Sequence, residues 1–472
     1  MLALAGCDLA PRYHVPLTRV PVGYKEASVW QQAQPADAVP RGEWWRSFGD
    51  STLNALEAQI DSGNPTLASE LAAFQQARAF AAQAYAGVYP TLSVGSQITT
   101  NRQSARRPLR SAHQPNQYLD NSIDAQASYE VDLWDRVANA VKSGRAAAQA
   151  AAADLASVRL SLHAELAEDY VALRGFDAQA EVLGRAVRAF EQVLSLTQAR
   201  FAGKISSGLD VARAQTQLDA AQAALTDNEA QRALLEHAIA VLIGKPPAEL
   251  TVPPDQWRLA QPAIPVGLPS TLLERRPDIA LAERLVAAAN ANIGVARAAF
   301  YPTLSLNMIY GLQDTGFNLF SLPNDFWTVG PGLAMPLFEG GLRDAEEAAA
   351  IAAWRRAAAD YRQTVLAAFQ QVEDAASQIR LLGEEARQEE AAVTAARHTV
   401  AMSMALYKDG AASFLEVVIA EADELRSEQA ATDVRTRQTE ACVQLIRALG
   451  GGWTRGDLPA LKRLMWAGAG RR

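Results

Sequence analysis

Cysteine is nearly absent from this chain of 472 residues: Cys7 and Cys442 are the only two. A pair so far apart, in such different surroundings, offers no disulfide framework. Cys442 sits in the stretch Ala441, Cys442, Val443, Gln444, Leu445 and reads as a small packed residue. Proline is missing from Arg136 to Ala202, which permits one unbroken helix about 100 Å long at 1.5 Å per residue. Long apolar runs are missing too. Hydrophobic residues make up 49% of the chain, but alanine dominates, and no run approaches the roughly 18 residues of a spanning helix; a helical membrane protein is excluded. Charge is not blocked: 44 Lys and Arg face 52 Asp and Glu, interspersed, for a net charge of -8, so nucleic acid is not an expected partner. The histidines His14, His113, His163, His237 and His398 lack metal-ligand spacing. Gly203-Lys204 and Gly244-Lys245 lack the rest of a phosphate loop. Neither a metal, a cofactor nor enzymatic activity is expected.

What is present is an internal duplication. Tyr89, Pro90, Thr91, Leu92 and Ser93 recur as Tyr301, Pro302, Thr303, Leu304 and Ser305. Backwards, Pro65 matches Pro277; forwards, Phe201, Ser207, Leu209, Asp210 and Val211 match Tyr407, Ser413, Leu415, Glu416 and Val417. A period this long is no solenoid; the repeat is itself a multi-element unit built twice. The expected organisation is a leader remnant at 1–7, an extended segment at 8–49, a first repeat at 50–245, a Pro-rich connector at 246–269, a second repeat at 270–453 and a tail at 454–472.

Pro11, Tyr13, Pro16, Pro21 and Tyr24 make the early segment extended, so that it must lie along something else. Asp50 and Ser51 are good helix caps, and Asn64-Pro65 opens a second helix. After Thr91 the hydrophobic period becomes two. Ile123, Ala125, Ala127, Tyr129, Val131 and Leu133 alternate with polar residues, the mark of a strand with one oily and one wet face. Strands are expected at about 91–101 and 121–134 with a polar loop between, and again at about 303–312 and 325–338. Each is near the length a tilted strand needs to cross a bilayer core. The helices after each strand pair form two hairpins, 136–202 with 209–243 and 342–406 with 413–449. The first carries a coiled-coil seam of Phe176, Ala180, Leu183, Val187, Phe190 and Leu194.

Four one-sided strands cannot cross a membrane alone, because an open sheet leaves edge amides unpaired in lipid. Closure must come from oligomerisation; dimer, trimer and tetramer would give 8, 12 or 16 strands, all acceptable for outer-membrane barrels. The physical reading is a hollow cylinder, β at one end and α along most of its length, in the bacterial outer membrane with most of its mass in the periplasm. A rival is a coiled-coil adaptor or structural lipoprotein that links membranes without a pore, which gives no reason for the strands.

The residues Leu4 to Cys7, Pro11 with Tyr13 and Pro16, Trp44-Trp45 with Phe48, Glu274-Arg275-Arg276-Pro277-Asp278-Ile279, both Tyr-Pro-Thr-Leu-Ser copies and Ala448-Leu449-Gly450-Gly451-Gly452-Trp453 resemble the TolC-like outer membrane efflux proteins, in particular the lipoprotein branch of the NodT and OprM type. The resemblance covers nearly the whole chain. It implies a homotrimer with a 12-stranded barrel, a helical periplasmic tunnel and a constricted tip that meets a periplasmic membrane-fusion adaptor and an inner-membrane transporter of RND type. It implies the gate residues Tyr407 and Asp210, joined by a hydrogen bond, with Glu416 as an acidic ring and Leu415 as an apolar one. Ala412 and Ile419 depart from the pattern, standing where members of the family carry an arginine and a second acid, although Glu421 and Asp423 lie close by. The tips that would receive the adaptor are Gly203, Lys204, Ser207, Gly208, Asp409, Gly410 and Ser413. The plainer readings stay open: Glu416 and Asp210 as acids suited to a helix N-terminus, and the glycines as helix ends.

Leu4-Ala5-Gly6-Cys7 resembles a bacterial lipoprotein cleavage site, with Cys7 as the acylated residue and the outer-membrane lipid as its partner. The stretch before it is too short for a full signal, so the start codon is expected to be misplaced or truncated; a chance match stays open. Asp8 next to it is the residue type that retains lipoproteins in the inner membrane of enteric bacteria. Arg102, Arg106, Arg107 and Arg110 crowd the first outer loop and suit either a solvated loop or lipopolysaccharide phosphates.

Overall fold

The computed structural model describes residues 7–26, 42–108, 111, 113–262, 264 and 269–460. Leu4 to Gly6, the stretch 27–41 of the extended segment, Arg110, Pro265 and residues 461–472 of the tail lie outside the described residues.

One unit is built twice. In the first copy α1 (Ser51–Gly63) and α2 (Pro65–Ala86) lead to strands β1 (Thr91–Arg102) and β2 (Gln117–Val131), then to α3 (Arg136–Ala202) and α4 (Gly208–Leu242). In the second α5 (Pro269–Arg275) and α6 (Pro277–Ala298) lead to β3 (Thr303–Asp314) and β4 (Asp325–Ala334), then to α7 (Leu342–Lys408) and α8 (Phe414–Ala448). Matched helices agree in length, 67 residues for α3 and α7 and 35 for α4 and α8, so the two hairpins can end side by side. Local chemistry starts the elements where the residues direct. The Asp50 carboxylate accepts from the N–H groups of Thr52 and Leu53, and Asn64 caps Leu67 with Pro65 in the first turn. The sharp bends from sheet to long helix are made by left-handed residues, Asp135 at φ 51° and Gly341 at φ 88°.

The four strands form one antiparallel sheet in the order β1-β2-β3-β4. Two strands have boundaries that differ from expectation. β2 begins at Gln117 rather than 121, because the ladder continues into the polar loop, where Arg102 pairs with Gln117 and Gln103 N–H donates to Asn116 O. It ends at Val131 rather than 134, since Trp134 turns away to donate to Pro302 O at 2.9 Å. β4 stops at Ala334 rather than 338, because its partner there, Thr303, is the first residue of β3 and the ladder has nothing further to pair with.

The main core lies where the middle of α3 and α7 meets α1, the ends of α4 and α8, and the connector. Phe48, Leu53, Ile60, Leu166, Tyr170, Ile239, Val365 and Leu445 are buried there, each contributing on the order of 2 kcal/mol by leaving water. Two sequence signatures meet beside it. Arg276 donates to Ala448 O at the end of α8 and to Gln371 of α7, and a Cβ on Gly450 would strike Arg275 O. The connector is held by Arg174 and Arg232, which share the Asp177 carboxylate and donate to Pro253 O and Val252 O. Among the described residues one helix, α6, reaches the mean hydropathy and length of a membrane span, although Asp278, Glu283, Arg284 and Arg297 interrupt its apolar residues; it packs against α3 and α7.

Candidate functional site

The sheet sorts its side chains by register. Across neighbouring strands Val94, Ala125, Tyr310 and Trp327 form one row, and Leu92, Ala127, Met308 and Val329 the next. Leu92, Val94, Ile98, Met308, Tyr310, Trp327, Val329 and Leu333 are all exposed. The opposite face carries Asp120, Asp124, Gln126, Ser128, Asn307 and Gln313, hydrogen-bonded to each other: Ser128 with Asn307 at 2.9 Å, Gln126 with Asp124 at 2.8 Å, Gln313 with Asp120 at 2.9 Å. An apolar exterior and a wet interior are what a membrane barrel requires. β1 and β4 are the sheet's edges and have no further strand neighbour among the described residues.

Cys7 lies at the end of this sheet from which the long helices leave. Its N–H donates to Leu133 O at 3.0 Å, just past β2. Asp8 is taken up by the start of α3: Lys142 Nζ donates to Oδ2 at 2.6 Å and Asn139 Nδ2 to Oδ1 at 3.0 Å. Burial pushes the Asp8 carboxyl upward, but these bonds and the Ala10 N–H outweigh it and hold it below the usual carboxylate range. Beyond it Leu9 O accepts from Arg297, Pro11 O from Asn290, and the Tyr13 hydroxyl donates to Glu283. The extended segment therefore lies along α6, as its prolines demanded.

At the far end the two hairpins turn with one backbone pattern. Ile205 N–H and Ser206 N–H bond to Arg200 O in one turn, Ala411 N–H and Ala412 N–H to Leu406 O in the other. Lys204 at φ 61° and Gly410 at φ 75° occupy the same left-handed position. The side chains differ. On α4, Ser207 Oγ accepts from Asp210 N–H while Asp210 Oδ2 accepts from Ser207 N–H and from the hydroxyls of Ser206 and Ser207, a reciprocal cap. Burial acts upward on Asp210, but the Ser207 and Ser206 bonds outweigh it and lower its pKa. On α8, Ser413 makes no side-chain cap bond, and Leu415 and Glu416 are exposed.

The hydrogen bond expected between Tyr407 and Asp210 is not made within the protomer. Asp210 spends its acceptor on its own helix cap, and the Tyr407 hydroxyl is buried without a hydrogen-bond partner among the described residues. The Tyr407 ring is instead 5% exposed, 5.4 Å from Phe414 between centroids, in a cluster with Phe190, Val193, Leu194, Leu218 and Val417 that spans both hairpins. Over the ring lies the guanidinium of Arg200, 4.5 Å from its centroid. Further along α8, Glu421 is 8% exposed; burial, and next the neighbouring Glu424, push its carboxyl up to about 7. Asp423 is exposed and paired with Arg426 at 2.9 Å. Glu428 accepts from Arg185 of α3 and Arg397 of α7 at 3.0 Å each; burial works upward, yet the two arginines keep its pKa low. Sequence reasoning missed Arg200 and Phe414, and with them the burial of Glu421. Only Arg200 left a local signal, a base in the last turn of α3.

Elsewhere Arg107 is committed to its own loop, donating to Ser104 O and Gln114. His163 is buried, with Nδ1 2.6 Å from Glu57 and Trp45 stacked on its ring. Among the described residues no group of three or more His, Cys, Asp or Glu is placed to hold a metal.

The model of the outer membrane efflux protein family matches residues 57–245 and 268–451, the two structural copies. The chain is 31% identical over 446 residues to the pyoverdine export outer membrane protein OpmQ of Pseudomonas putida, covering 92% of this chain and 93% of the relative. The structure of the outer-membrane channel OprN superposes with a TM-score of 0.88 at 29% identity, over 95% of this chain and all of that one. The outer membrane protein VceC of Vibrio cholerae gives 0.82 at 27% identity, over 87% and 99%. With three protomers the edge strands β1 and β4 close into a barrel of 12, and this chain belongs to the outer membrane efflux protein family, whose members are outer-membrane channels of tripartite efflux systems.

Proposed function

We propose that this channel is the exit duct for drugs or other small molecules delivered by an inner-membrane pump of RND type, with a periplasmic membrane-fusion adaptor seated on the hairpin tips. The observation that carries it is the sheet, oily outside, hydrogen-bonded and polar inside, and open at both edges, continuous with helices about 100 Å long. A non-pore adaptor has no use for such a sheet. Gly203, Lys204, Ser207, Gly208, Asp409, Gly410 and Ser413 form the two turns, and exposed Ile205 and Leu209 beside them give an adaptor apolar surface to cover. Leu415 and Glu416, both exposed on the first turn of α8, suit an apolar and an acidic ring at the aperture. Cys7 carries the covalent lipid; its position beside Leu133 would deliver acyl chains to the inner leaflet next to the barrel. Asp8 is bound by Lys142 and Asn139 in the folded chain, which favours a structural use for it. No cofactor is required, because the energy comes from the pump, and the family is one of channels rather than enzymes.

Cells deleted for this chain should accumulate a fluorescent pump substrate that wild-type cells expel, with export restored by the intact gene. Unchanged accumulation with a functioning pump and adaptor present would refute the duct. Mass spectrometry of the mature N-terminus checks the lipid on Cys7, and site-directed crosslinking from Ser207 and Gly410 to the adaptor checks the docking.

A further inference from the structure

The α3–α4 and α7–α8 hairpins of one protomer pack on each other at the tip, so a duct that opens there by parting them must break the contacts between them. Whatever joins the two hairpins within a protomer therefore sets the closed state. We propose that Arg200 is that latch, a role that rests on the duct reading: from the last turn of α3 it lays its guanidinium on the Tyr407 ring and binds the final carbonyls of α7, holding the inner hairpin against the outer one. The guanidinium is 4.5 Å from the ring centroid. Nη1 donates to Tyr407 O at 3.3 Å, an oxygen that also accepts from Gly410 N–H, and reaches Lys408 O at 3.5 Å, at a helix C-terminus whose dipole attracts a cation. On its own hairpin the ring is backed by Phe414 and Val417, so it travels with α7–α8.

Two further observations favour this contact over a link through the hydroxyl. The Tyr407 oxygen is buried without a hydrogen-bond partner among the described residues, and Asp210 is occupied by Ser206 and Ser207. A planar cation is needed, since a lysine would keep the charge and could reach the carbonyls but would lose the stacking on the ring.

Single-channel conductance of the full-length trimer in planar bilayers tests this with Arg200→Ala, Arg200→Lys, Tyr407→Leu, Tyr407→Phe and the double variant Arg200→Ala/Tyr407→Leu. Arg200→Ala and Tyr407→Leu should each raise mean conductance roughly threefold or more, as expected for the loss of a cation–π contact, and the double variant should add nothing to the larger single effect. Arg200→Lys should fall between. Tyr407→Phe, which keeps the ring, should gain well under half of what Tyr407→Leu gains. A Tyr407→Phe effect equal to Tyr407→Leu, with Arg200→Ala like wild type, would move the latch to the hydroxyl and overturn the proposal, as would full additivity in the double variant. If Arg200→Ala fails to form trimers, Arg200→Lys against Tyr407→Phe decides, the first having to exceed the second. Correctly sized trimers that never conduct in any form would refute the duct itself, and the latch with it.

Discussion

The outer and inner hairpin tips share a backbone and differ in what holds them. At the outer tip Ser207 and Asp210 satisfy each other and close the first turn of α4 locally. The matched Ser413 and Glu416 do not. In exchange, Tyr407 and Phe414 are 5% and 3% exposed where the outer tip has Phe201 at 52% and Gly208. One tip is complete by itself; the other is held by packing on its neighbour. A contact made across an interface can be released as a unit, whereas a local cap stays with its helix, so the inner tip depends on its neighbour where the outer one does not.

The strongest way to break the contrast is Phe414→Ala. Removing a buried phenyl costs about 3–5 kcal/mol where the site cannot collapse. Hydrogen exchange of the 400–420 segment should accelerate about a hundredfold or more, whereas exchange at 198–210 should change far less. Equal acceleration of both tips would mean that they open together.

Next comes pH. Glu421 is raised to about 7, by burial first and Glu424 second, so its packed state prefers the proton. The stabilisation is full below the ordinary carboxylate pKa near 4.5 and is lost as pH rises through about 7. Protection of the inner hairpin should therefore fall between pH 4.5 and about 7 and level off above that, by at most ~tenfold per pH unit, and Glu421→Gln should flatten that slope. A slope that persists in Glu421→Gln would place the titration elsewhere.

Smaller effects sharpen the same comparison. Ser207→Ala should cost about 1 kcal/mol through loss of the cap, while Ser413→Ala, with no cap bond to lose, should cost only ~0.3 kcal/mol or less on the same scale; local stability by native-state exchange compares them, and similar costs would erase the difference between the tips. Smallest is Lys204→Gly. It relieves a left-handed side chain worth about 1 kcal/mol but adds backbone entropy of about 0.5–1 kcal/mol, so a thermal melt should barely move.

The duplication, the strands, the long proline-free helices and the turn positions were legible in the residues because each follows a local rule: period two, period 3.6, caps and breakers. Strand ends were less legible. The ladder at Gln117 continues for hydrogen-bonding reasons that alternation does not record, and Trp134 leaves the sheet for a carbonyl of another segment. Resemblance pointed to Tyr407 as a tip residue but not to the partner it has within the protomer.

By itself the sequence determined that this chain is two copies of a strand pair with helical hairpins, that its strands carry one apolar face, and that such a sheet needs other chains to close. Only the tertiary structure decided which hairpin is self-capped and which is held by its neighbour, that Arg200 meets Tyr407 from 207 residues away, and that Glu421 is buried between helices. The reason is distance: periodicity and capping act over a few residues and can be read along the chain, whereas burial of a carboxyl or a stacked guanidinium depends on which distant surfaces the packing brings together.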